Sequence, residues 1–133
     1  MNARAVYLDT SAFLKLIVAE RESAALHVRL RDWPTRVSAA LLRTETARAL
    51  RRSGNAHLID KARRLSGSIY LVGLDYPLLD RAGEMDPVEL GSLDAVHLAA
   101  ALSIGSDLAL FLTYDSRLAR AAQAQGLEVE SPN

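Results

Sequence analysis

Short apolar runs alternate with longer stretches of helical periodicity along this chain, and that alternation limits its fold more than any other feature. The runs Ala5–Leu8, Arg36–Val37, Ser68–Leu74, Ala109–Thr113 and Leu127–Val129 read as strands. Helical patterns cover Ser11–Ala19, Glu22–Arg31, Ala39–Arg52, His57–Leu65, Pro77–Glu84, Ser92–Ile104 and Arg117–Gln125. Strands separated by helices of this length need crossover connections, which favour parallel pairing with helices on both faces of the sheet. The expected fold class is therefore α/β, a three-layer αβα sandwich around a mostly parallel sheet of about five strands. The chain has 133 residues, half of them apolar, with no repeat or Pro/Gly-rich linker, so residues 1–133 are expected to form one domain.

The composition removes several chemistries. With no cysteine there is no disulfide framework, thiolate metal site or thiol nucleophile. Met1-Asn2-Ala3-Arg4 leads straight into the first apolar run without a signal-like apolar region, and nowhere do about 18 apolar residues run unbroken. The expectation is a cytoplasmic protein with no membrane partner.

Four acids stand where a domain of this kind usually places neutral or apolar residues. Asp9 follows Ala5-Val6-Tyr7-Leu8, Glu45 lies inside a helical pattern, Asp94 precedes Ala95-Val96, and Asp115 follows Leu110-Phe111-Leu112-Thr113-Tyr114. Carboxylates against a core are costly unless a positive group lies among them, and oxygen-only ligands suit a hard divalent cation such as Mg²⁺ or Mn²⁺. In open parallel sheets the ligand crevice lies beyond the carboxyl ends of the strands, where Asp9 and Asp115 fall.

Each acid also has an ordinary structural explanation. Asp9 can cap the helix that starts at Thr10-Ser11, Asp94 can offset a helix dipole behind a Ser92 cap, and Asp115 can begin a turn. Helical projection puts Glu45 between Leu41 and Leu42, facing inward, unless it pairs with Arg48 three residues on. His97 lies among Val96, Leu98 and Ala100 and is expected to be a packed residue with one satisfied ring nitrogen.

The net charge is zero, but its distribution is uneven. From Arg43 to Arg64 seven bases face two acids, whereas from Asp75 to Asp115 eight acids face Arg81 alone. A basic flank beside an acidic, cation-ready segment suits a polyanionic substrate whose phosphates arginines can hold. Solvated helix faces joined by salt bridges would give the same pattern.

Four segments together resemble the acidic motifs of PIN-domain nucleases. They are Leu8-Asp9-Thr10-Ser11-Ala12, the helix Ser38-Ala39-Ala40-Leu41-Leu42-Arg43-Thr44-Glu45, Leu93-Asp94-Ala95-Val96-His97-Leu98-Ala99-Ala100-Ala101, and Leu112-Thr113-Tyr114-Asp115-Ser116-Arg117-Leu118-Ala119. Order, spacing and chain length are similar to the small VapC-type toxins of type II toxin–antitoxin modules, over Val6 to Val129.

That resemblance implies a metal-dependent endoribonuclease, leaving a 5′-phosphate and a 3′-hydroxyl. It implies catalytic roles for Asp9, Glu45, Asp94 and Asp115, with metal held by Asp9, Asp94 and Asp115 and by Glu45 directly or through water. Thr10, Ser11 and Thr113 match small hydroxyl positions that orient the carboxylates. Arg117 stands where some relatives carry a further acid or amide, which implies one firm Mg²⁺ site, with Mn²⁺ as substitute. The implied partners are RNA, an antitoxin whose C-terminal segment lies along the groove, and a second copy of the chain. Phe13, Leu14, Leu16, Ile17, Leu42 and Leu50 are candidate contacts for the antitoxin or dimer, unless they are ordinary core.

Two other classes fit parts of the pattern. A doubly wound phosphoacceptor or phosphatase could use Asp9, although Ser11 replaces the second acid and the only lysines are Lys15 and Lys61. A non-catalytic PIN-like binding module would keep the fold without turnover.

Overall fold

The computed structural model describes residues 4–133, so the Met1–Ala3 part of the expected leaderless start lies outside the described residues. Strands β1 (Ala5–Leu8), β2 (Thr35–Ala39), β3 (Tyr70–Val72), β4 (Leu108–Leu112) and β5 (Val129–Glu130) form one sheet in the order β3-β2-β1-β4-β5. Every pairing is parallel, with Tyr7 opposite Val37 on one side and Phe111 on the other. The connecting helices are α1 (Thr10–Ile17), α2 (Ser23–Leu30), α3 (Leu42–Arg52), α4 (Ile59–Ser66), α5 (Tyr76–Gly83), α6 (Ser92–Leu102) and α7 (Ser116–Ala124).

All four residues of β1 are buried, as a central parallel strand covered on both faces requires. Strand alternation sends Ala5 and Tyr7 to the side of α5, α6 and α7, and Val6 and Leu8 to the side of α1 and α2. A third apolar cluster joins α1 to α3 and α4 through Phe13, Ile17, Leu42, Leu50 and Ala62. From β1 the chain winds outward through β2 and β3 on one side, then through β4 and β5 on the other. The direction reverses between β1 and β4, the place where an open α/β sheet leaves a crevice at its carboxyl end.

Two expected boundaries shift. Ser38 and Ala39 belong to β2 rather than to the following helix, because the sheet offers them more partners: the Ser38 hydroxyl donates to the Leu8 carbonyl at 2.6 Å, and Ala40 N–H extends the ladder to Val72 O at 2.9 Å. The third strand is confined to Tyr70–Val72, since Ser68 and Ile69 complete the turn that ends α4. Among the described residues no helix is long and apolar enough to cross a membrane.

Phe13, Leu16, Ile17, Leu42 and Leu50 are buried, so they are core and not the docking surface entertained above. Their helices pack on one another, and this consumes the apolar faces. Only Leu14 of that set is half-exposed, and it borders the cleft described below.

Leu98 is fully buried in α6 beneath the sheet. Leu98→Ala is expected to lower the unfolding free energy by about 2–5 kcal/mol through a lost side chain and a residual cavity, measured by urea denaturation.

Candidate active site

Asp9 leaves β1 at its carboxyl end and caps α1. Its backbone is extended there, and Oδ1 accepts the Ala12 N–H at 2.9 Å. The same oxygen accepts the Ser11 hydroxyl at 2.7 Å, and Oδ2 accepts the Thr113 hydroxyl at 2.6 Å. The helix-cap explanation is thus correct for Asp9 without being complete, since two further donors, one on α1 and one in the loop after β4, hold the same carboxylate. Burial pushes its pKa up, and the bonds from Thr113, Ser11 and Ala12 only partly offset that rise.

Thr113 joins two acids. While its hydroxyl donates to Asp9, it accepts the Asp115 N–H at 3.0 Å, and Asp115 then caps α7 by accepting N–H bonds from Arg117 and Leu118. Ser11 crosses the same gap, accepting the Tyr114 N–H at 2.9 Å. These bonds tie the ends of β1 and β4 together on the side of the crevice.

Glu45 comes from the first turn of α3 and does not pair with Arg48. Its Oε1 accepts the Thr10 hydroxyl at 2.6 Å and lies 2.7 Å from His97 Nε2. Burial tends to raise the Glu45 pKa, but the bonds from His97 and Thr10 outweigh it and hold the carboxyl below its usual range. His97 is 1% exposed, and both ring nitrogens have partners, the second being the Tyr7 hydroxyl at 2.7 Å. The expected packed histidine is present, with two satisfied nitrogens instead of one, and it is tied to the site.

Asp94 lies in the first turn of α6, capped by Gly91 and not by Ser92. Its pKa is raised by burial first, then by the negative charges of Asp115 and Asp9. The four acids therefore share one electrostatic neighbourhood, although they come from β1, α3, α6 and the loop after β4. They line an open cleft together with Thr10, Ser11 and His97. Arg48 and Arg52 of α3 line the same cleft, and among the described residues neither is paired with a carboxylate.

Among the described residues no three His, Asp or Glu side chains converge tightly enough to form a ready-made metal cage. The donor set still fits a hard divalent cation. It supplies carboxylate oxygens and no sulfur, its only imidazole is engaged by Tyr7 and Glu45, and the raised Asp94 pKa reports negative charge that a cation would relieve. Asp9 fits a phosphoacceptor poorly, since it is 4% exposed and its two oxygens already accept three hydrogen bonds.

Tyr7 is the site residue that sequence reading missed. A tyrosine inside a fully buried strand must find a partner for its hydroxyl, and that requirement was the available signal.

A parallel αβα sheet carrying an acidic cleft at its carboxyl end defines the class, and the PIN domain profile matches residues 6–124. The chain belongs to the PIN-domain family, among the VapC ribonucleases. It is 44% identical to Ribonuclease VapC46 of Mycobacterium tuberculosis, over 97% of this chain and 98% of that one. In structure it resembles VapC20 of Mycobacterium tuberculosis, a sarcin–ricin loop cleaving toxin, with a TM-score of 0.75 at 20% identity, covering 96% of this chain and 99% of that one. A toxin–antitoxin complex from Klebsiella pneumoniae aligns with a TM-score of 0.70 at 17% identity, covering 96% and 98%.

A raised folded-state pKa means that the folded protein holds the proton more tightly than the unfolded chain does. Asp94 therefore favours folding at low pH, and this contribution is lost as pH rises through its elevated value. Glu45 acts in the opposite sense, losing its contribution as pH falls through its lowered value. In EDTA, Asp94→Asn is expected to raise Tm at neutral pH and to give little gain near about pH 3.5, below the ordinary aspartate pKa. Thermal melts of both proteins at the two pH values measure the difference.

Proposed function

We propose that this protein is a divalent-metal-dependent endoribonuclease and the toxin of a toxin–antitoxin pair. The observation that carries the reading is the convergence of Asp9, Glu45, Asp94 and Asp115 on one cleft whose α3 wall also bears Arg48 and Arg52. The 44% identity to a ribonuclease along nearly the whole chain supports it.

Asp9, Asp94 and Asp115 would hold one Mg²⁺, or Mn²⁺ in its place, with Glu45 completing the pocket directly or through water. When bound, the ion polarises the scissile phosphate and lowers the pKa of an attacking water. Ser11 and Thr113 hold Asp9 in a single orientation, so its carboxylate needs little rearrangement when a cation or phosphate arrives. Thr10 does the same for Glu45. Glu45, Arg48 and Arg52 are spaced i, i+3 and i+7, so the two arginines continue along one face of α3 from the acid. Exposed and uncommitted, they suit phosphates of the RNA strand on either side of the scissile bond.

The working form is a single nuclease domain in the cytoplasm that pairs as a homodimer. Its negative cleft also suits a basic side chain from an antitoxin segment, which would compete with RNA and metal for the same charges. The structural likeness to a toxin–antitoxin complex supports that partner.

The test is digestion of total cellular RNA by purified protein in Mg²⁺, in Mn²⁺ and in EDTA. Discrete metal-dependent fragments are expected, and Asp9→Asn and Asp94→Asn should each reduce their formation by about two orders of magnitude or more, the usual cost of removing a group that stabilises transition-state charge. Fragments that persist in EDTA, or in both variants, would count against the reading. A protein that binds Mn²⁺ yet cuts nothing would instead mark a binding module.

Binding supplies a second check. With an Asp9→Asn background to prevent cleavage, Arg48→Gln and Arg52→Gln should each weaken single-stranded RNA binding and lower the slope of log K against log salt by about 0.7, the value for one lost phosphate contact. Millimolar Mn²⁺ should also raise Tm of the wild-type protein, and less so that of Asp9→Asn, because an ion bound only to the folded state stabilises it.

A further inference from the structure

Three elements meet at one oxygen of Glu45. Thr10 Oγ1 donates to Oε1 at 2.6 Å from the start of α1, and His97 Nε2 lies 2.7 Å from the same atom on α6. Behind His97, the hydroxyl of Tyr7 on β1 lies 2.7 Å from Nδ1. Both rings are sealed from solvent, with Tyr7 0% and His97 1% exposed. Tyr7 is held in turn by Phe111, whose ring stacks parallel to it at 5.1 Å, while the His97 ring meets it edge-on at 5.9 Å.

These contacts form one continuous chain of hydrogen bonds from β1 to α3. An ionised Glu45 can only accept, so Nε2 must carry a hydrogen. Burial pushes the Tyr7 phenol well above its usual pKa, so it stays protonated and able to donate. Tyr7 meets the same ring at Nδ1, so the imidazole bridges a buried phenol and Glu45. We propose that Tyr7 and His97 are positioning residues for the nuclease site: Tyr7 holds the His97 ring through Nδ1, and His97 with Thr10 holds Oε1 of Glu45 so that Oε2 serves the cleft.

Such a device answers a specific competition on α3. Arg48 is three residues after Glu45 on a neighbouring part of the helix surface, where Glu–Arg pairs commonly form. A Glu45 free to rotate would pair with Arg48, withdrawing a carboxylate from the acids and a guanidinium from the RNA phosphates. The bonds to Oε1 come from Thr10 of α1 and from His97 of α6, and no Glu45–Arg48 pair forms among the described residues.

The inference rests on the nuclease reading for its kinetic consequence but not for its spectroscopic one. Long-range ¹H–¹⁵N spectra of uniformly ¹⁵N-labelled, metal-free protein should show a proton on Nε2 of His97, and Tyr7→Phe should shift the Nδ1 resonance through loss of its hydrogen-bond partner. On an in vitro transcript spanning a site that the wild-type protein cuts in total RNA, Tyr7→Phe should lower kcat roughly 3–10-fold, the effect of one lost hydrogen bond, with KM unchanged. His97→Gln, which can present an amide N–H near the position of Nε2, should stay within roughly threefold of wild type, whereas His97→Leu should fall roughly 10-fold or more. A wild-type His97 with its proton on Nδ1 alone would overturn the proposal, as would a Tyr7→Phe variant with unchanged Nδ1 resonance and kcat. So would equal losses in His97→Gln and His97→Leu, which would mark His97 as packing alone. If the wild-type protein cuts no RNA, the nuclease reading falls while the spectra still decide how the His97 ring is held.

Discussion

A carboxylate with almost no solvent contact sits at the end of the central strand, and the surrounding site is organised by the need to satisfy it. Asp9 is 4% exposed and carries a raised pKa because burial disfavours its charge. The Ala12 N–H at the start of α1 meets part of that need, as at many helix starts. The hydroxyls of Ser11 and Thr113 meet the rest, and Thr113 can reach Asp9 only because β4 pairs directly with β1. The parallel pairing of these two strands is thus a condition for keeping an acid in this place.

From there the arrangement spreads outward through small side chains. Ser11 accepts Tyr114 N–H, and Thr113 accepts Asp115 N–H, so the loop after β4 is braced internally and anchored to the start of α1. That anchoring places Asp115 at the N-terminus of α7, where its carboxylate satisfies otherwise unpaired helix N–H groups. Asp9 and Asp115 thereby each cap a helix of their own. The shared burden of the acids is mutual repulsion, visible in the upward pressure of Asp115 and Asp9 on Asp94. A bound cation removes that repulsion, which links the stability of the fold to the chemistry proposed for the cleft.

The nitrogen-bearing side chains in and around the cleft are divided by depth. The buried imidazole of His97 faces Glu45, where desolvation would be costly for a long basic side chain, while Arg48 and Arg52 remain exposed on the wall formed by α3. A polyanion arriving from solvent meets the arginines before it meets the acids. The apolar faces of α1 and α3 play no part in this, because Phe13, Leu42 and Leu50 are consumed in packing those helices on each other and on α4.

Local pattern was enough to reveal the αβα fold, the strand ends that carry Asp9 and Asp115, and the four acids themselves, because hydrophobic period and helix-cap chemistry are properties of neighbouring residues. It misplaced Ser38 and Ala39, whose strand conformation depends on β1 and β3 on either side. It also could not assign the partner of Glu45. Arg48 is near in sequence, whereas His97 is 52 residues away and becomes the partner only when α6 packs over β1 and β2. Tyr7 entered the site in the same way, since its hydroxyl acquires a role only from a residue 90 positions later. The sequence by itself determined which groups are present and which segments carry them. Tertiary structure alone decided which oxygen each hydroxyl and imidazole holds, because hydrogen bonds act over about 3 Å and contacts between distant segments arise only when the sheet and helices pack.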